Sequence, residues 1–223
     1  MYNGIEKKSK NEKAYEPRKE TPAARMLYVV TNHFFRLLWA NILCVLFSIP
    51  VVTAPAAMSG LHAVIQQYYR YGYGEVWPTF IEEFKSDFMQ KLFSAMLPLV
   101  ICAAVFVFGS KINMVLVFYL LAAASFALGL SVYGWLFPQL PLLDIQATDG
   151  LKNALILSFL ETPRSLGLIA VQAVVITLIM WFYPVSLVLV FIIVPLIPAL
   201  LTEMIAFPVI EKRLVNKEGT DRQ

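Results

Sequence analysis

The stretch Ile112–Phe137 reads INMVLVFYLLAAASFALGLSVYGWLF and contains no charged residue. A helix that crosses the hydrocarbon core of a bilayer needs about 20 mainly apolar residues, so this stretch is long enough to span a membrane. Composition agrees, since 59% of the 223 residues are hydrophobic and only 15% are charged, unlike an ordinary soluble domain. The sequence therefore predicts an all-α protein, a polytopic helical membrane bundle.

Five other stretches are candidates for further passes. The stretch Val52–Tyr69 contains Pro55, His62 and two glutamines and would insert poorly alone. We expect it to cross as a hairpin with the first pass, its polar atoms covered by neighbouring helices; the alternative is a re-entrant or interfacial helix. The other four stretches are long and apolar, namely Phe34–Val52, Leu92–Gly109, Leu166–Phe182 and Val185–Phe207.

Basic residues favour six passes over five, because cytoplasmic loops collect Lys and Arg. With five passes, 8 basic residues lie inside and 9 outside, which is no bias. With six, 16 of the 18 lie inside, only Lys111 lies outside, and Arg36 lies within a pass. Both termini are then cytoplasmic, and the outer connections are short, near Ile49–Thr53, Ser110–Lys111 and Tyr183–Pro184.

One membrane domain, residues 26–208, accounts for most of the chain. Residues 1–25 are polar and basic and cannot bury enough surface to fold alone, so we expect a disordered cytoplasmic tail. Residues 209–223 are expected to form a second cytoplasmic tail. The first apolar stretch lacks a small-residue cleavage site and is expected to remain as a signal-anchor. Cys44 and Cys102 lie in apolar runs, which is typical of small buried hydrophobes.

Two inner connections carry apolar residues at helical spacing. Three such residues recur every four positions in each: Phe80, Phe84 and Phe88 within Trp77–Leu92, and Leu151, Leu155 and Phe159 within Asp149–Glu161. We expect two cytoplasmic interfacial amphipathic helices, with the phenylalanine stripe buried in the membrane or in a partner.

The order of predicted helices around these two segments is similar in the two halves of the chain. Each is followed by two predicted passes, and the second pass ends Phe-Pro, at Phe137-Pro138 and again 70 residues later at Phe207-Pro208. Internal repeats are common in transporters. The sequence therefore raises the hypothesis of a structural repeat.

Ionisable and amide side chains inside the predicted passes are the candidate functional residues. Arg36 and Glu203 both lie near inner ends, and we expect them to lie within salt-bridge reach, as a structural ion pair rather than as a proton relay. The alternative for Arg36 is that its side chain snorkels to the headgroups. Two arrangements are open for Asn41, His62 and Gln66, a polar cavity between the first two passes or ordinary interhelical hydrogen bonds.

No catalytic or cofactor motif stands out. Only His33 and His62 are histidines, and HExxH, GxSxG, Walker A and cysteine-rich metal spacings are absent from the sequence. The segment Gly72-Tyr73-Gly74 is expected to be a turn. We therefore expect no enzymatic activity, cofactor or metal, and a net charge of +3, concentrated on one side, argues against nucleic-acid binding.

One region resembles a known family. The segments Trp39-Ala40-Asn41, Leu46–Thr53 and Pro55-Ala56-Ala57 resemble the YesL-like family of bacterial integral membrane proteins, and Leu151–Pro163 resembles its inner loop. The family contains a domain of unknown function, occurs mainly in Gram-positive bacteria and is often associated with ATP-driven carbohydrate uptake. The resemblance implies a multi-pass plasma-membrane protein and assigns no role to a single residue.

Three functions of different classes follow. The favoured one is an accessory protein whose cytoplasmic face contacts membrane transporter subunits in carbohydrate uptake or utilisation. The second is an autonomous small-solute transporter. The third is a structural or regulatory membrane protein with no solute path. In each case the lipid bilayer is the expected environment.

Overall fold

The computed structural model describes residues 21–109, 115–143, 146–181 and 195–210. Within these ranges the regular structure is helical, which confirms the predicted all-α class. A short 3-10 turn, Val51–Thr53, precedes the second helix. The helices are α1 (Pro22–Phe47), α2 (Ala54–Tyr71), α3 (Val76–Lys85), α4 (Phe88–Gly109), α5 (Val115–Gln139), α6 (Ala147–Leu160), α7 (Thr162–Trp181) and α8 (Leu196–Ile210).

Four of the described helices are long and apolar enough to cross a membrane, namely α1, α4, α5 and α7. Helix α8 is also apolar but spans only 15 residues. The prediction of several apolar membrane helices is therefore confirmed, whereas the count of six stays a prediction. The predictions for residues 1–20, 110–114, 144–145, 182–194 and 211–223 lie outside the described residues.

Helix α1 differs from the predicted first pass, Phe34–Val52. It begins at Pro22, where the side chain of Thr21 accepts a hydrogen bond from the N–H of Ala24 at 3.4 Å. It bends at His33, whose φ of −123° and ψ of 20° are not helical. It ends at Phe47 because Pro50 follows closely and disfavours continued helix.

Helix α2 is the most enclosed of the described helices although it contains several polar residues. It packs against α1, α3, α4, α5 and α8, and 13 of its 18 residues are buried. Gly72 ends it in the left-handed region, with φ of 69°, and donates its N–H to the Tyr68 carbonyl at 2.9 Å. Neighbouring helices thus cover the polar atoms of α2, as expected.

The phenylalanine stripe does not lie on one interfacial helix. The chain turns between α3 and α4 at Asp87, which has a φ of 44°, and Phe88 begins the next helix. Phe80 is fully buried inside the protein. Its ring is 3.0 Å from the position that a Cβ on Gly60 would occupy, and it lies 5.7 Å from the Phe47 ring. Burial of Phe80 in lipid or in a partner was the wrong expectation.

The stripe on α6 also differs from its prediction. Leu151 is 9% exposed, Leu155 is 37% exposed and Phe159 is 69% exposed. Residues spaced by four drift about 40° around an α-helix at each step, so the three side chains leave the buried face one after another. The buried apolar face of α6 consists of Leu151, Ala154 and Leu157.

Candidate functional site

A buried polar cluster joins α2, α5 and α8. Glu203 on α8 is 1% exposed, and its Oε1 lies 2.7 Å from Nδ1 of His62. The same oxygen accepts a hydrogen bond from Nε2 of Gln66 at 2.9 Å. His62 and Gln66 are one helical turn apart on α2 and therefore share a face. Both donors reach one carboxylate oxygen.

Helix α5 contributes a backbone carbonyl to this cluster. Nε2 of Gln66 also donates to the carbonyl of Pro138 at 2.7 Å. Carbonyls in the last turn of a helix lack intrahelical donors, so Gln66 satisfies an acceptor that the end of α5 leaves open. The Phe137 ring stacks on the His62 ring, with centroids 6.2 Å apart and planes 9° apart. Helix α5 thereby closes one side of the cluster.

Buried polar atoms without a hydrogen-bond partner in the described part of the chain occur in this cluster and in the residue that follows Pro138. They are Oε2 of Glu203 and both amide atoms of Gln139, the residue after Pro138. Gln139 is fully buried, and leaving a buried polar group unsatisfied costs about 1–3 kcal/mol. Chemically, the cluster can hold a proton between a carboxylate and an imidazole, and it retains hydrogen-bonding capacity for a small polar molecule.

The predicted ion pair between Arg36 and Glu203 is wrong. Among the described residues, Glu203 has His62 as its ion-pair partner, whereas Nη1 of Arg36 donates to the phenolic oxygen of Tyr68 at 3.5 Å. His62 and Tyr68 are six residues apart on α2, which corresponds to about 9 Å along the helix. Arg36 and Glu203 therefore contact α2 at two separate positions along its length. Arg36 is exposed, as snorkelling requires.

The structure places the three polar candidates of the first two helices in different surroundings. His62 and Gln66 form interhelical hydrogen bonds. Asn41 is fully buried on α1, on the face that also carries Leu37 and Cys44 of the core. Sequence reasoning missed Gln139, for which the preceding proline and the end of an apolar stretch were the available signals.

A second polar network ties α3 to its neighbours. Oε1 of Glu83 accepts hydrogen bonds from Ser59 of α2 and from Nζ of Lys91, each at 2.6 Å. Nζ of Lys91 also donates to the Glu83 carbonyl at 2.6 Å and to Oγ of Ser86 at 2.8 Å. Lys91 is buried. Sequence reasoning did not predict the pair of Glu83 and Lys91, because the chain turns between these two residues.

Within the described ranges, no three His, Cys, Asp or Glu side chains lie close enough together to hold a metal ion. The two cysteines in these ranges are free. Cys44 is buried, with its sulfur 3.7 Å from that of Met58.

Comparison with known proteins shows that a family model matches part of the chain. Residues 37–109 match a family model described as "Protein of unknown function, DUF624". The matched region covers less than half of the chain and includes His62 and Gln66 but not Glu203. No curated protein and no solved structure matches the chain. The chain is thus similar, over the last part of α1 and all of α2, α3 and α4, to a family whose function is unknown.

Proposed function

We propose that the chain is a non-enzymatic accessory protein of the plasma membrane of a Gram-positive bacterium. In this proposal both termini are cytoplasmic, and the cytoplasmic face binds subunits of a carbohydrate transporter. The resemblance of Trp39–Ala57 to the YesL-like family supports the connection to carbohydrates. The observation that carries the binding role is the apolar surface of α6.

Helix α6 is too short to cross a membrane. Its 14 residues extend about 21 Å, less than the hydrocarbon thickness of about 30 Å. One face packs inside the protein, where Oγ of Ser131 donates to Oγ of Ser158 at 3.0 Å. Four large apolar side chains remain exposed near its end: Leu155, Ile156, Phe159 and Leu160.

An exposed apolar patch on a helix that cannot span is covered by lipid or by another protein. The predicted topology puts α6 on the cytoplasmic side, where transporter subunits and their ATPases are accessible. Helix α3 offers less apolar surface, because Phe80 is buried inside the protein. We therefore assign the binding surface to α6.

Photo-crosslinking in cells tests this function. A photoreactive residue in place of Ile156 or Phe159 should capture a transporter subunit. The matched control is Phe126 on α5, which is equally apolar and 54% exposed and should capture lipid alone. Capture of lipid alone from all three positions would contradict a protein partner on α6.

Uptake measurements test the carbohydrate connection. A strain that lacks the protein should take up labelled oligosaccharides more slowly and labelled amino acids at the normal rate. The wild-type chain should restore uptake, whereas Phe159→Glu should not, although it reaches the membrane in equal amount. Equal oligosaccharide uptake with and without the protein would remove the carbohydrate assignment.

A second function, autonomous transport of a small solute, is favoured by the unpartnered atoms of Glu203 and Gln139. Buried polar groups of this kind mark solute and proton paths in membrane bundles. Flux by the pure protein in vesicles, lost in Glu203→Gln, would support this function. Absence of both flux and a transporter partner would leave a structural or regulatory role.

A further inference from the structure

Three arginines converge on the last turn of α2. Nη2 of Arg25 donates to the carbonyl of Arg70 at 2.9 Å, and Nη1 of Arg36 donates to the phenolic oxygen of Tyr68 at 3.5 Å. Arg25 comes from the first turn of α1, and Arg70 belongs to α2 itself. Three positive charges from two helices therefore lie at one end of the bundle.

Aromatic rings lie beside all three guanidinium groups, including that of Arg36, which is 6.0 Å from the centroid of the Tyr68 ring. That of Arg25 lies 4.7 Å from the centroid of the Tyr69 ring, and that of Arg70 lies 5.5 Å from the centroid of the Phe207 ring. The two rings are themselves 4.8 Å apart, so α1, α2 and α8 all contribute to the arrangement. Cation–π contacts fix the positions of the charges and leave their N–H groups available to an acceptor.

None of the three arginines forms an ion pair within 4.0 Å in the described part of the chain, although Arg70 is close enough to Glu203 for the two charges to interact. Elsewhere in those ranges, Lys91, Lys152 and Arg164 each pair with a carboxylate. Arg25, Arg36 and Arg70 have none within 4.0 Å among the described residues. Nε of Arg25 is in addition buried without a hydrogen-bond partner there. A buried donor without an acceptor, beside like charges, is unfavourable unless an anion binds.

We propose that Arg25, Arg36 and Arg70 form a binding site for an anionic phosphate group. Guanidinium groups recognise phosphate through parallel hydrogen bonds. The ends of membrane helices lie at headgroup depth, where tyrosines are enriched and where basic pockets between helices bind anionic lipids. The phosphate comes either from a phospholipid headgroup or from a soluble phosphate compound. This site is independent of the proposed accessory function.

The experiment compares the full-length protein in nanodiscs of phosphatidylcholine with and without phosphatidylglycerol. The anionic lipid should raise the Tm of the wild type by about 5 °C, and it should be enriched among the lipids that remain bound during purification. In Arg25→Gln/Arg70→Gln the Tm shift and the enrichment should both disappear. The matched control, Lys85→Gln/Lys152→Gln, removes the same charge from exposed positions and should behave as the wild type.

Two further measurements identify the source of the phosphate group and control for misfolding. Glycerol phosphate added to phosphatidylcholine nanodiscs should leave the Tm unchanged if the ligand is a lipid headgroup, and it should reproduce the shift if the ligand is soluble. Arg25→Lys/Arg70→Lys keeps both positive charges and is a control for misfolding of the glutamine variant. It should retain only part of the enrichment of the anionic lipid. The proposal is overturned if no phosphate compound stabilises the wild type, or if the control pair loses as much as the arginine pair.

Discussion

At the residue scale, Glu203 depends on the two side chains that reach its Oε1. Removing one partner of a buried hydrogen-bonded pair leaves the other group unsatisfied and costs about 1–3 kcal/mol, or more where that group is charged, whereas replacing both costs far less. We therefore expect His62→Leu to lower the free energy of unfolding by about that amount. The double variant His62→Leu/Glu203→Leu should be more stable than His62→Leu. Unfolding in mixed micelles measures both.

Substitution of Arg36 provides the control for this comparison of single and double variants. Its partner is Tyr68, so the effects of Arg36→Leu and Glu203→Leu should add within about 0.5 kcal/mol. Strong coupling between Arg36 and Glu203, or none between His62 and Glu203, would contradict the described arrangement.

Gly60 is a second single-residue case. A Cβ at this position would lie 3.0 Å from the Phe80 ring and 3.1 Å from the Phe80 carbonyl oxygen. Because a backbone atom is involved, the neighbour cannot simply rotate away, and we expect Gly60→Ala to cost about 1–3 kcal/mol. Gly167→Ala is the matched control, since a Cβ there would lie 3.6 Å from the Ile205 side chain, an ordinary van der Waals distance. A loss of stability in the control alone would refute this packing.

At the element scale, the position of α3 depends on the buried amine of Lys91. We expect Lys91→Met to cost roughly 3 kcal/mol, because Glu83 would lose its cation, and to increase proteolysis at the turn between α3 and α4. Lys85→Met removes an exposed amine from the same region and should change stability by less than about 0.5 kcal/mol. Equal proteolysis of the two variants would mean that the Lys91 network does not hold α3.

The helices that the sequence predicts best are those whose length and composition alone identify them. The apolar helices α4, α5 and α7 follow from length and hydrophobicity, and the enclosure of α2 follows from its polar content together with the need to cover it. The faces of α3 and α6 were misassigned, because a spacing of four residues approximates the helical repeat only over one or two turns. The partner of Arg36 was also misassigned, because its contact with Tyr68 depends on how α1 packs against α2.

Partners in the buried cluster were harder to predict than its members. His62, Gln66 and Glu203 were all candidate residues, since polar side chains in apolar stretches are easily seen. Their pairing is a long-range property: 141 residues separate His62 from Glu203. Nothing local to α2 indicates whether a residue on α1 or one on α8 will face it.

At the scale of the whole molecule, topology is the first prediction to test. Single cysteines at Ser9, Tyr73 and Gly219, in a background without Cys44 and Cys102, should be shielded from an impermeant outside reagent in intact cells. Tyr73 is chosen because it is exposed in the turn after α2, whereas Gly74 is crowded by the Gln67 side chain. Labelling of Tyr73→Cys from outside would place α2 on one side of the membrane and reduce the number of passes to five.

The Glu203 cluster also has a consequence for biosynthesis. Gln66 leaves the ribosome 137 residues before its acceptor on α8, a delay of roughly 7–30 s at ordinary rates of translation. During that interval the polar face of α2 has no carboxylate to bind, so the nascent hairpin is held by the translocation machinery or by chaperones rather than by its own packing. A messenger that ends before α8 should therefore yield a product that quality-control proteases remove, even though every long apolar helix in the described ranges has already been made.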